Sequence, residues 1–299
     1  MTLKQALDWK AAERITKWPP WQHYSYSSVG FSLAEYIVEK VSEQAFEKII
    51  DERIFTPLGM YSASLDNDER TLSHLATGYD SDGKSVIPYL HMLYRGFGAI
   101  NLRPGDMIPF LQMLLNKGKH KTIRLLTAES IERLETPTTS LAAKNGLQFG
   151  RGLGNYTSMR NGLLFHGHDG DADGYLSRLS YNRDTKLGYF LVINAFKNNA
   201  LLKLRYRIED FISEDKEILA PPIPVLNDND LKRYSGIYTP VTKRFSGANF
   251  HDNTLKMSVN DGILRLYSDN VTRDLLPVNR THFRYQGESQ ATSAFVMDE

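Results

Sequence analysis

The densest run of chemically able side chains is His166-Gly167-His168-Asp169-Gly170-Asp171-Ala172-Asp173-Gly174. Two imidazoles and three carboxylates this close together can hold a cation, move a proton or solvate a turn. Asp169, Asp171 and Asp173 before Gly174 match the D-x-D-x-D-G opening of an EF-hand calcium loop. The twelfth position of such a loop is Ser180, where a bidentate Glu belongs, and strand-like sequence flanks the run on both sides. A metallo-hydrolase H-x-H-x-D-H site fails on spacing: Gly170 stands where its Asp belongs and Asp171 where its last His belongs. On its own the string reads most simply as a solvated hairpin turn.

Composition narrows what such a cluster serves. The chain has 299 residues, 41% hydrophobic and 24% charged, with Lys+Arg 36 against Asp+Glu 35 and no cysteine. These fractions are those of an ordinary globular protein, large enough for one large domain and a smaller module. A net charge of +1 offers no field for a polyanion, which argues against dedicated nucleic-acid binding. Without cysteine there is no disulfide, thiolate nucleophile or zinc–sulfur site, although the compartment is left open. The longest apolar run, Tyr189 to Ile193, falls far short of the ~20 residues of a membrane helix. The opening MTLKQALDWK has no apolar signal core.

Periodicity supplies the elements that must position the cluster. A 3.6-residue repeat predicts helices over residues 3–17, from about Ser28 with Phe31, Ala34, Ile37, Val38 and Val41 on one face, and on through Phe46 to Ile54 until Pro57-Leu58-Gly59. Residues 62–100 are polar and turn-rich; Asp106–Lys117 and Thr127–Leu134 again read as helices. Then the period changes to two. Leu163–Phe165, Tyr175–Tyr181 and Leu187–Ile193 read as strands, with a hairpin loop at residues 182–186, before a helix over Ala200–Ile212. The proline-rich run at residues 220–224 marks a stiff linker, and five or six short alternating segments follow. Asn260-Asp261-Gly262 is a hairpin signal within them.

One further reading of the cluster rests on a resemblance. Tyr26-Ser27-Ser28-Val29-Gly30-Phe31 is similar to the [FY]-S-N-x-G-[YF] element of the β-lactamase-related serine hydrolases, a family of class C β-lactamases, DD-peptidases, D-aminopeptidases and esterases. Residues 36–42, residues 54–60, Gly96-Phe97-Gly98-Ala99 with Asp106, and residues 114–118 resemble further family segments in the family's order. Phe165 to Tyr175 looks like the F-x-H-x-G-x-x-x-G-[FY] strand, which puts His168 and Gly170 in an H-x-G motif, and Asn194 matches an Asn at the end of the next strand. The segment from about residue 229 resembles the lipocalin-like β module appended to many such hydrolases.

The resemblance implies an α+β fold: a β-lactamase/DD-peptidase-like domain with an antiparallel sheet packed with helices, over residues 1–218. A linker at 219–228 and a partial all-β module at 229–299 would follow. It implies hydrolysis of a small-molecule ester, amide or peptide through an acyl-enzyme, with no metal or organic cofactor. Tyr26 would be the general base, His168 would place the substrate, and the backbone N–H of Asp171 would be half of an oxyanion hole. Ser28 and Gly170 would line the substrate site, Gly170 letting an acyl group lie close to the strand. A Tyr base needs cations to draw its pKa down from ~10. Two departures stand out. Ser28 replaces the usual Asn, offering one hydroxyl for an amide. The family's S-x-x-K nucleophile pair has no counterpart upstream of Tyr26; the two such strings, at Ser81–Lys84 and Ser213–Lys216, follow it in a polar turn and at a helix end. The chain is thus expected to be a hydrolase domain short of its N-terminal part and inactive alone, or else a non-catalytic binding protein of the same fold. Relatives are usually exported, so a periplasmic or secreted location is expected.

Overall fold

The computed structural model describes residues 3–8, 26–66, 69–92, 94–214, 222–238, 254–268 and 271–296. The predicted first helix is seen as α1 (Leu3–Asp8), and the rest of that segment, with part of the proline-rich linker, lies outside the described residues. The chain divides into two compact units. One takes Met1–Thr16, Ser27–Glu132 and Gly167–Glu209; the other takes Lys17–Tyr26, Arg133–His166 and Asp210–Glu299.

In the first unit α2 (Ser28–Ser42) starts where Ser27, in extended backbone, accepts the amide of Gly30 at 3.0 Å, an N-cap that satisfies one orphan donor. The sequence predicts the helix but not its orientation. Phe31, Leu33, Ile37 and Val38 are exposed and Val41 is 81% exposed, while Ser32 and Glu35 are buried. The reason is Glu35. Its carboxylate accepts the backbone amides of Gly96 at 2.7 Å and Arg95 at 3.1 Å, and this draws the polar face inward. Gly96 must be glycine, since a Cβ there would meet the Phe31 carbonyl oxygen at 2.9 Å. Arg95 donates to Glu47 at 2.6 Å, fastening the same loop to the next helix.

That helix runs as α3 (Phe46–Ile50), a π turn over Asp51–Phe55 and α4 (Thr56–Leu58), ending as expected at Gly59 in the left-handed conformation (φ 73°). The turn-rich stretch holds α5 (Glu69–Leu72) and the short strands β1 (Gly78–Tyr79) and β2 (Val86–Ile87). Asp106, just before α6 (Met107–Leu115), accepts the Ser62 amide and hydroxyl at 2.7 and 2.6 Å. Leu111, Met113 and Leu114 of α6 are core residues. After β3 (Lys119–His120), β4 (Ile123–Arg124) and α7 (Ala128–Glu135) come α8 (Leu141–Lys144), β5 (Tyr156–Arg160), β6 (Leu163–Ala172), β7 (Tyr175–Asn182) and β8 (Leu187–Ile193). The last four form one sheet in the order β5-β6-β7-β8, and β7 pairs antiparallel with β8 from Leu176↔Ile193 to Asn182↔Leu187. Arg183, in the hairpin loop, donates to the Leu114 and Leu115 carbonyls at 2.8 and 2.9 Å and so satisfies the end of α6. α9 (Asn198–Ser213) follows.

The second unit holds β5, the start of β6 and the C-terminal module. α10 (Asp228–Lys232) leads into β9 (Gly236–Tyr238), β10 (Leu255–Asn260), β11 (Ile263–Ser268), β12 (Val271–Pro277), β13 (His282–Tyr285) and β14 (Ser293–Ala294). These strands make a six-stranded antiparallel meander in sequence order. Asp261 and Gly262 both have positive φ, 54° and 73°, in the two-residue hairpin between Asn260 and Ile263. Its core is Leu231, Tyr234, Met257, Leu264, Leu266, Leu275 and Phe283, with Phe295 stacked on Tyr234 at 4.5 Å. Glu288 and Ser289 of this module bond the amide and carbonyl of Gly162 in the β5–β6 turn, at 3.1 and 2.6 Å. The α+β class and the all-β module are as expected. No described helix is long and apolar enough to cross a membrane.

Two predictions concern stability. A Cβ on Gly167 would sit 2.0 Å from the Leu179 carbonyl oxygen, whereas one on Gly105 meets nothing within 4 Å. Gly167→Ala is expected to cost about 1–3 kcal/mol in urea unfolding, as overpacking does, and Gly105→Ala to stay within about 0.5 kcal/mol. Burial raises the Glu35 carboxyl above its ordinary pKa, against the opposing bond from the Gly96 amide. A carboxyl raised in the folded state binds its proton more tightly folded than unfolded, so its contribution falls as pH rises from about 4.3 through the folded value. Relative to wild type, Glu35→Gln therefore gains stability between about pH 4 and pH 7; a pH-independent difference would refute this.

Candidate functional site

The polar run is strand, not turn. β6 continues through Ala172, and only Asp173 and Gly174 (φ 82°) make the bend into β7. This corrects the hairpin-turn reading and removes the calcium loop, which requires the chain to wrap its ion. In extended backbone His168 and Gly170 share one face while Asp169 and Asp171 share the other. Asp169 is committed to Arg178, whose Nη1 lies 3.1 Å from its Oδ1. Among the described residues no three His, Asp or Glu side chains are grouped to hold a metal.

His168 is half-buried, and its Nδ1 lies 2.5 Å from the Asp169 carbonyl oxygen. A carbonyl only accepts, so Nδ1 carries the proton, and in the neutral ring Nε2 is left with the lone pair. Beside it, a Cβ on Gly170 would fall 2.2 Å from Ser177 Oγ, so glycine here makes room for a hydroxyl on β7. The space that the resemblance reserves for an acyl group is shared with Ser177. The Asp171 side chain is exposed, near the end of the strand.

The turn beyond is held from below. Gly174 and Gly78 pass so closely that a Cβ on Gly174 would meet Gly78 Cα at 2.9 Å. The Tyr175 hydroxyl donates to the Ala76 carbonyl, and the Asn194 amide donates to the Thr77 carbonyl at 2.9 Å. Tyr79 N–H donates to the Asn194 carbonyl at 3.0 Å. Asn194, singled out by the resemblance, thus ties β8 to β1.

Ser28 opens α2 in the same unit as His168, Gly170 and Asp171, is half-buried, and accepts the Ser32 hydroxyl on its carbonyl at 3.1 Å. Tyr26, also half-buried, falls in the other unit. The structure therefore brings three of the five expected site residues together on one strand and places the other two around the start of α2. The first S-x-x-K string forms no nucleophile pair on one helical turn. Ser81-Asp82-Gly83-Lys84 is a turn in which Asp82 accepts the Lys84 and Ser85 amides at 2.7 and 2.8 Å, with Gly83 at φ 69°. The Ser85 hydroxyl and these amides lower the Asp82 carboxyl to about 2. Ser213 ends α9, and Lys216 lies outside the described residues.

Sequence reasoning missed a buried ionic cluster behind β6. Arg178 and Glu209 have no solvent exposure. Glu209 Oε1 accepts the Tyr189 hydroxyl at 2.8 Å and Arg205 Nε at 3.0 Å. Burial, then the Glu209 charge, push the Tyr189 phenol well above its ordinary range. The signal in the sequence was an Arg in a strand otherwise alternating Leu, Ser and Tyr, which periodicity assigns to the solvent side.

Comparison with known proteins agrees with the motif order. The chain is 27% identical over 169 residues to penicillin-binding protein 4 of Amycolatopsis lactamdurans, covering 54% of this chain and 44% of that protein. It is 25% identical over 195 residues to a D-aminopeptidase of Cereibacter sphaeroides, covering 64% of this chain and 36% of the relative. The chain thus spans less than half the length of these curated relatives. The crystal structure of a D-amino acid amidase from Ochrobactrum anthropi SV3, complexed with D-phenylalanine, superposes with TM-score 0.56 at 20% identity, over 72% of this chain and 69% of that one, a likeness of fold. With the Beta-lactamase family model matching residues 3–212, the chain belongs to the beta-lactamase family of serine hydrolases.

Proposed function

We propose that this chain is the substrate-placing part of a serine hydrolase that cleaves a small-molecule amide or ester through an acyl-enzyme. The observation that supports it most is β6, an extended strand presenting His168 and Gly170 on one face, with His168 Nδ1 lying 2.5 Å from the Asp169 carbonyl oxygen. Tyr26 acts as the base, the Asp171 N–H stabilises the oxyanion, and Ser28 and Gly170 border the bound substrate. In its neutral form His168 offers Nε2 as an acceptor. This suits a substrate with a donor beside the scissile bond, as in an amino acid amide, and the aminopeptidase and amidase relatives point the same way. The site of action is the periplasm or the cell exterior. Among the described residues no S-x-x-K string pairs its Ser and Lys on one helical turn, so this reading assigns no nucleophile among them.

The other reading is a non-catalytic binding protein of the same fold, favoured by the missing nucleophile pair and by Ser28 in place of Asn. The reading frame upstream of Met1 separates the two: an in-frame S-x-x-K supports the enzyme, and its absence supports the binding protein.

This chain alone is expected to form no acyl-enzyme. Incubation with a fluorophosphonate or a labelled penicillin followed by intact-mass analysis tests it, and a stoichiometric adduct on any serine overturns the assignment. With the upstream segment restored, Tyr26→Phe is expected to lower kcat on a D-amino acid amide by about 10²–10⁴-fold, the range of lost general-base catalysis. Unchanged kcat would remove Tyr26 from the reaction.

A further inference from the structure

Arg178 is buried completely, yet the side chain it meets, Asp169, is half-exposed. From the carboxylate's side the pair gains little, because water screens it. From the guanidinium's side the position is different, because an ionised group cut off from water must find its compensation within the protein. Asp169 supplies it from β6, and Glu209, with Arg205 and Tyr189, adds a second carboxylate and a second guanidinium from α9 and β8. Arg178 pairs with Asp169 and Arg205 with Glu209, so the four charges balance within the unit. All of these groups lie between Gly167 and Glu209, in one unit.

Asp169 has a second task. Its carbonyl oxygen takes the His168 Nδ1 proton at 2.5 Å. The direction of that carbonyl depends on the peptide plane after Asp169, and the Asp169 side chain is tied down by Arg178 on the opposite face of the strand. Gly170, the next residue, has no side chain to fix the plane from its own side. Remove the tie and only the ladder to β7 holds the Asp169–Gly170 peptide, so the Asp169 carbonyl is aimed less firmly at the His168 ring.

We propose that Arg178 is a positioning residue for His168: by holding the Asp169 carboxylate it aims the Asp169 carbonyl at Nδ1, and so presents Nε2 of His168 as the acceptor for substrate. The proposal rests on the reading in which His168 touches substrate, but its test requires no turnover. Arg178 itself touches no reacting atom.

The experiment is a long-range ¹H–¹⁵N correlation of the imidazoles in the full 299-residue chain, ¹⁵N-labelled at histidine, above the imidazole pKa, with His168 assigned through the loss of its signals in His168→Gln. The wild type is expected to show a protonated, pyrrole-type Nδ1 and a pyridine-type Nε2. In Arg178→Met the His168 signals move toward the Nε2–H tautomer, and Arg178→Lys, which keeps a cation beside Asp169, restores much of the wild-type pattern. A wild-type ring already in the Nε2–H form overturns the proposal, as does a cooperatively folded Arg178→Met with unchanged signals. If Arg178→Met does not fold, Asp169→Asn decides from the exposed end: its weaker bond to Arg178 must shift the populations in the same direction, and unchanged populations overturn the proposal. Neither result bears on acyl-enzyme formation, so the hydrolase reading stands or falls separately.

Discussion

A guanidinium without access to water is the constraint on which the site strand depends. Arg178 sits on the covered face of β7, where a carboxylate on β6 meets its charge and a second carboxylate is buried in the same unit. Such clusters are weak evidence for stability, since well-packed apolar side chains often do as well. They specify register better. A one-residue slip of β6 would carry Asp169 to the opposite face and leave Arg178 facing nothing charged on that strand. Gly167 reinforces this, because its missing Cβ lets the Leu179 carbonyl close in, and Ser177 over Gly170 repeats the arrangement on the other face. With glycines and charges set in alternation, β6 has one way to lie.

Helix α2 shows a second kind of constraint. Its apolar repeat made the helix and its start at Ser28 legible in the sequence, but carried the pattern on to Pro57, whereas α2 ends at Ser42 with Glu43 in the left-handed conformation (φ 56°). The same repeat suggested the wrong inner face. Periodicity records which side chains would gain from burial, and says nothing about whether a neighbour is there to bury them. What orients α2 is Glu35 accepting two amides from residues sixty positions away, a contact with no local trace. A single Glu on a helix looks like solvent-facing decoration until its distant partners are known.

The elements were legible where local rules decide them. The six strands of the C-terminal meander follow from alternation, and the Asp261-Gly262 bend follows from the need for two positive φ angles. The stop at Gly59 follows from glycine's access to the left-handed region. The polar run before β7 was harder. Three aspartates and three glycines in nine residues carry every mark of a turn, and only the ordered resemblance of distant segments pointed to a strand. Composition rules fail there because Asp169 is compensated across the sheet, by an arginine that periodicity would place on the solvent side.

These constraints also bear on how far strand geometry can speak for chemistry. The groups seen to hold His168 lie within its own unit: the carbonyl of the following residue, the carboxylate behind it, the arginine on the next strand and the glycines between. None of it involves a nucleophile, so the H-x-G strand keeps its shape whether or not a Ser–Lys pair is brought to it. A lysine at this position would be a permanent point charge needing no tautomer, and it would select an anionic group on the substrate. Histidine with Nδ1 engaged selects a donor when neutral, and loses that selectivity when it takes a second proton. Under either proposed reading, binding preference would belong to β6 and its supports, whereas catalysis would require a group that these supports do not contain.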